Sequence, residues 1–314
     1  MKVVFESESN ILREILFKKS ESLAASLDIV GRPLIVHNIL KIVEAKGGVE
    51  LITIPSGLPE TASLLHKAFP EVELLESETP RADQSDSIKV PMDSLALIGA
   101  DGGLRFERLL YPWDLLKNLQ EMLSSEIPRS FIAEDATVSE TAVLVDPVYV
   151  GKGAHIDDFC KVRGPIYVAA GATVGTGSLV RNSSIGAKSN VGFNCEISKS
   201  FLIGEDVIPH LCLMLDSALG QDVWMGGFIG TINALFTLRN IRCLVDGQLI
   251  DSGLVHMGML AGHSVRIGAA CMTLPGRYLP PGTVTQVNSV FSDSGDIVKS
   301  SRIAEPLVKA PAKS

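Results

Sequence analysis

The chain has 314 residues, 46% of them hydrophobic and 20% charged, which suits two packed domains and argues against disorder. Its net charge of −8 argues against a nucleic-acid partner, which would call for a basic surface. Five scattered cysteines (Cys160, Cys195, Cys212, Cys243, Cys271) with no C-x-x-C pair argue against a disulfide or zinc framework. No apolar run reaches the ~18 residues of a membrane span, and Met1 to Phe5 is not a signal peptide, so a cytoplasmic protein with no membrane partner is expected.

Residues 1–125 alternate between strand-like and helix-like segments. Strands are predicted at 3–5, 51–54, 72–75 and 95–98. Helices are predicted at 34–45 behind Pro33, at 61–69, and from the Tyr111-Pro112-Trp113-Asp114 opening to about residue 123. That order predicts a small α/β domain with a mostly parallel sheet. Ser124-Ser125-Glu126-Ile127-Pro128 is the expected junction.

From Ile132 a different period takes over. Every sixth residue is aliphatic through Val138, Leu144, Val150, Ile156, Val162, Val168, Val174 and Val180. The frame slips by one at Ile185 and resumes through Val191, Ile197 and Ile203. Small residues (Ala136, Ala142, Ala154, Ala172, Ser178) recur four places after the aliphatic one. A step of six fits neither a helix nor an alternating strand. It fits a three-sided β-helix whose aliphatic residues point inward and whose coils stack at about 4.8 Å. The step loosens after Pro209, returns at Leu219, Met225 and Thr231, and breaks over residues 239–258. There Asp246-Gly247 between two apolar runs predicts a projecting hairpin. Ala261, Ile267, Thr273, Leu279 and Thr285 restore the step. The expected division is therefore 1–125, 126–287 and an unassigned tail, 288–314.

The hexads resemble those of left-handed β-helix acyltransferases. Two stretches are similar to bifunctional sugar-1-phosphate nucleotidyltransferase/acetyltransferases of the type that make UDP-N-acetylglucosamine. One is Glu196-Ile197-Ser198-Lys199-Ser200 followed by Ile208-Pro209-His210-Leu211 and Leu215-Asp216-Ser217. The other runs from Gly226-Gly227 to Asn233 and resumes at Met257-Gly258-Met259-Leu260-Ala261-Gly262-His263-Ser264. Gly31-Arg32-Pro33-Leu34-Ile35 and Pro112-Trp113-Asp114-Leu115 resemble nucleotidyltransferase segments. The resemblance implies a reduced nucleotidyltransferase-like domain followed by a left-handed parallel β-helix. It implies acetyl transfer from acetyl-CoA to an amino sugar phosphate such as glucosamine 1-phosphate, in a homotrimer with sites between neighbouring prisms.

Such a transfer needs a base for the ammonium proton, donors for the oxyanion and cations for the phosphate. His210 falls on the family's catalytic histidine, and Glu196 on a carboxylate that would orient base or sugar. Asn233, Arg242 and Asp216 are the implied substrate contacts; Gly227 and Ala269 match places where backbone approaches coenzyme A. The chain departs from the family at Ser198, where a lysine is usual, at Leu213, where a tyrosine is usual, and at Trp224, where an asparagine is usual. The family's glycine-rich phosphate loop is replaced by Glu6-Ser7-Glu8-Ser9-Asn10, whose carboxylates would repel a triphosphate unless Mg2+ intervened. Asp101 reads either as a metal ligand or as part of an Asp-Gly-Gly turn. Two alternatives stand beside acyl transfer: nucleotidyl transfer to a sugar 1-phosphate, and a non-catalytic trimeric scaffold that binds sugar nucleotides.

Overall fold

The computed structural model describes every residue except 7–9, 20–21, 79–86, 100, 296 and 298–314, so the loop after Phe5 and most of the tail lie outside the described residues. The chain divides into two compact units. The first comprises Met1–Glu14 and Lys19–Leu110; the second comprises Ile15–Lys18 and the chain from Tyr111 onward.

In the first unit, four parallel strands form one sheet in the order Glu73–Ser77, Leu51–Pro55, Lys2–Glu6, Ser87–Pro91. Val3, Phe5, Ile52, Ile54 and Val90 bury their side chains with Ile35, Ile39 and Ile42 of the helix Leu34–Lys46 and Leu65 of the helix Pro59–Ala68. The α/β expectation therefore holds, but Ser87–Pro91 was not legible as a strand. Its Ser-Ile-Lys-Val-Pro sequence has one fully buried residue, Val90, and ends at a proline. Ser94–Ile98 does not join the parallel sheet. It pairs antiparallel with Leu104–Arg108. Asn38 holds that hairpin to the helix, donating to the Ser94 carbonyl at 2.7 Å and accepting from the Ala96 N–H at 2.8 Å. Asp101 accepts the Gly103 N–H at 2.9 Å, which makes Asp-Gly-Gly a turn.

The second unit is a three-sided left-handed parallel β-helix. Face one runs from Phe131–Ile132 to Tyr278–Leu279, face two from Thr137–Val138 to Arg266–Ile267, and face three from Val143–Val145 to Val290–Phe291. One aliphatic residue per strand points inward, and these stack in register: Val150, Val168, Ile185, Leu202 and Leu219 on face one. Val150 and Val168 are 18 residues apart, but the next three intervals are 17. The expected Ile203 is thus corrected to Leu202, which is 1% exposed while Ile203 is only partly buried.

The missing residue is lost at one corner. Between faces three and one, Asn182, Lys199 and Asp216 take left-handed backbone (φ 51°, 49° and 44°) and turn the chain in five residues instead of six. A left-handed residue is unfavourable for most side chains, with Asn and Asp the most tolerant. Behind each of these residues is a serine. Ser183, Ser200 and Ser217 are fully buried, and each donates to the carbonyl two residues earlier. Each also accepts an N–H from the next coil at 2.9–3.1 Å, so a polar ladder braces the corner.

The helix Pro112–Glu126, expected to close the first domain, groups with the second unit instead and packs along face one against Phe201–Gly204 and Ala218–Leu219. Face three continues past the expected end at 287 to Phe291, which is buried in the prism. Arg242–Val245 and Gln248–Asp251 form the expected antiparallel hairpin. Among the described residues no helix is long and apolar enough to cross a membrane.

Candidate functional site

A pocket of about 410 Å³ opens at the five-residue corner. It is lined by the corner residues Asn182, Lys199 and Asp216, by Arg163, Arg181, Ser198 and Leu215 from the strand ends of face three, and by Asn233 and His256. Arg163, Arg181, Ser198 and Leu215 occupy one register position on four successive coils. The excursion that carries the hairpin closes over the next coil. Ala234 bridges His256, and Gly258 N–H donates to the Asp216 carbonyl at 2.7 Å, bringing Asn233 and His256 to the rim.

Three cations therefore line one concavity in a chain whose net charge is −8. Arg181 is held in place: its Nε donates to Ser198 Oγ at 3.0 Å and its Nη2 to Glu196 Oε1 at 2.5 Å. Ser198, which stands where the family has a lysine, thus orients a neighbouring arginine. Asp216 accepts from the Asn233 amide at 2.6 Å. Such a concavity suits a phosphorylated ligand with hydrogen-bonding hydroxyl or amine groups.

The sequence-derived candidates fall into three places. Asp216 and Asn233 line the pocket, and Glu196 stands behind it through Arg181. His210, Gly227 and Ala269 sit together at a different corner, between faces two and three. A β-carbon on Gly227 would lie 2.7 Å from His210 Nε2, so a side chain there would make the ring shift. Gly227 O accepts from the Ala270 N–H at 2.8 Å, and Phe228 meets the ring edge-on at 6.3 Å. Just inside this corner the neighbouring Cys195 thiol lowers Cys212, while Cys212 and burial push Cys195 up. Arg242 is apart from both groups, exposed on the hairpin with its Nη2 donating to the Leu249 carbonyl at 3.3 Å.

Within one chain the strand Leu213–Leu215 runs between His210 and the pocket, and three to four residues of strand span on the order of 10 Å. Sequence reasoning missed Arg163, Arg181, Lys199 and His256. A signal for three of them was present. Arg163 and Arg181 share a coil position, and Asn182-Ser183, Lys199-Ser200 and Asp216-Ser217 recur every 17 residues, each followed two places later by an inward aliphatic residue. His256 carried no such signal, because it follows an excursion of irregular length.

Residues 126–220 match the GMPPB C-terminal domain family. A bifunctional sugar-1-phosphate nucleotidylyltransferase/acetyltransferase from Sulfurisphaera tokodaii is 26% identical over 39% of this chain and 35% of its own length. A bifunctional protein GlmU from Methanococcus vannielii is 24% identical over 73% of this chain and 54% of its own. Over these stretches the chain is similar to bifunctional sugar-1-phosphate nucleotidyltransferase/acetyltransferases. It spans only about a third to a half of the length of those two relatives. Among solved structures, a putative acetyltransferase from Bacillus cereus overlays at a TM-score of 0.26 and 14% identity, covering 50% of this chain and 78% of that one, too weakly to bear on function.

Proposed function

We propose that the protein transfers an acetyl group from acetyl-CoA to the amine of a phosphorylated amino sugar, in nucleotide-sugar biosynthesis. The observation that carries this reading is the cationic pocket, which offers Arg163, Arg181 and Lys199 to a phosphate and Asp216 and Asn233 to sugar hydroxyls or amine. The relatives named above, one of them described as an acetyltransferase, support it.

In this reading the amine nitrogen attacks the thioester carbonyl while His210 takes its proton. The tetrahedral intermediate then collapses with cleavage of the carbon–sulfur bond, an amide forms, and the thiolate takes the proton back from His210 to leave as the thiol. Gly227 and Ala269 would lie against the coenzyme. Because His210 and the pocket occupy different corners of one prism, the site is composite, completed by a neighbouring copy in a homotrimer. Phe193, Leu211 and Phe228, all exposed around His210, support such a covering, since clustered exposed apolar residues mark contact surfaces. The separation of His210 from the pocket equally favours one other reading, a scaffold that binds sugar nucleotides without turnover. Nucleotidyl transfer and its Mg2+ would fall to the first unit, whose loop after Glu6 lies outside the described residues.

The test is release of free thiol from acetyl-CoA across a panel of amino sugar phosphates, with His210→Gln alongside. Turnover that falls at least 100-fold in the variant supports the proposal. No release with any acceptor leaves the scaffold; release that the variant does not diminish refutes His210 as the base.

A further inference from the structure

The pocket's cations are arranged along an axis, and that arrangement selects among phosphorylated ligands. Arg163 and Arg181 are register partners on adjacent coils, and Lys199 is one residue beyond Ser198, the partner on the third. Coils stack at about 4.8 Å, so the backbones of Arg163 and Lys199 lie on the order of 10 Å apart. The middle cation is the restrained one, clamped by Glu196 and Ser198. No ion pair joins the outer two, Arg163 and Lys199, to another described residue. Positive charge that no ion pair takes up therefore lies on both sides of a fixed guanidinium, with the Asp216 carboxylate on the coil beyond Lys199.

A single phosphate, held at about 2.8 Å from each donor, bridges two adjacent coils and leaves the third cation without a partner. Two linked phosphates lying along the stacking axis engage all three. We infer that the pocket takes a diphosphate, as carried by a nucleoside-diphosphate sugar, in preference to a sugar monophosphate. The inference rests on the acyl-transfer reading only for the identity of the acceptor; the binding preference stands by itself. Ser198 fits it, since a lysine there would concentrate charge on one coil where the serine lets Arg163 and Lys199 spread it over three.

The experiment is calorimetric titration of the full chain with inorganic pyrophosphate, UDP, inorganic phosphate and glucosamine 1-phosphate at one low ionic strength. Pyrophosphate and UDP are expected to bind at least tenfold more tightly than the two monophosphates. Arg163→Gln and Lys199→Gln, both at exposed positions, are each expected to erase most of that preference, weakening pyrophosphate more than inorganic phosphate. Monophosphates binding as tightly as the diphosphates would overturn the inference. So would a diphosphate preference that survives both substitutions, which would locate it elsewhere in the chain. Thiol release with a sugar monophosphate and no diphosphate preference would sink this inference and keep acyl transfer; the preference without thiol release would do the reverse.

Discussion

Leu202 and Ile203 are neighbours with opposite expected costs on truncation, and the pair tests the register on which the pocket depends. A strict step of six would send Ile203 inward and set Lys199 over Arg181; the 17-residue coil sends Leu202 inward and sets Ser198 there. Leu202→Ala removes three buried carbons, about 2.4 kcal/mol at about 0.8 kcal/mol per carbon, and the unfilled space brings the loss to about 3 kcal/mol. Ile203 is only partly buried, so Ile203→Ala should cost about 1 kcal/mol. The difference of about 2 kcal/mol corresponds to roughly a thirtyfold change in the folded-to-unfolded ratio. Urea unfolding followed by far-ultraviolet circular dichroism would read it, provided the slope with denaturant is unchanged. If Ile203→Ala proves as damaging as Leu202→Ala, the shortened corner is wrong and the pocket's composition with it.

Glu196→Gln frees Arg181 from its carboxylate. Both side chains are more than a third exposed or close to it, so stability should change by less than about 1 kcal/mol, whereas pyrophosphate should bind several-fold more tightly at low salt. Unchanged affinity would mean that Glu196 does not restrain the anion site. Asp206 is fully buried, and its carboxyl is pushed well above the usual range by burial, against hydrogen bonds from the Val223 and Gly204 N–H groups and Ser189. A raised folded-state value means that its stabilising effect is complete below the ordinary carboxylate range and fades as pH rises through the raised value. Thermal unfolding of Asp206→Asn should therefore depend less on pH across that interval than the wild type; parallel curves would refute the assignment.

How much the sequence reveals follows from how local each feature is. The inward stack on face one needs only a side chain and a period, so Val150, Val168 and Ile185 were readable directly, and the Asp246-Gly247 turn announced its hairpin. The shortened corner was half readable. Its first appearance at Ile185 showed as a slip, but Leu202 and Ile203 are both aliphatic and the pattern alone does not separate them. The pocket was harder, because its residues stand a whole coil apart and are outward-facing, where apolar periodicity gives no information. Asp216 and Asn233 were found through resemblance; Lys199 lies inside the Glu196 to Ser200 motif, but nothing in the pattern marks it as facing the same pocket as Arg163. The helix Pro112–Glu126 was placed in the wrong half because its sequence shows which stripe is apolar but not which surface covers Leu115, Leu119 and Leu123.

The short segment Ile15–Lys18 has a practical consequence for dissection. The Leu16 carbonyl accepts from the Gln221 N–H at 2.6 Å and the Ile15 carbonyl from the His263 N–H at 2.7 Å, while Lys18 and Arg266 share Asp222. A fragment beginning at Tyr111 would leave those two amides without acceptors and Asp222 with half its cations. The prism borrows four residues from nearly 100 positions upstream, so cutting the protein at its apparent seam opens a gap in the wall of the half that is kept.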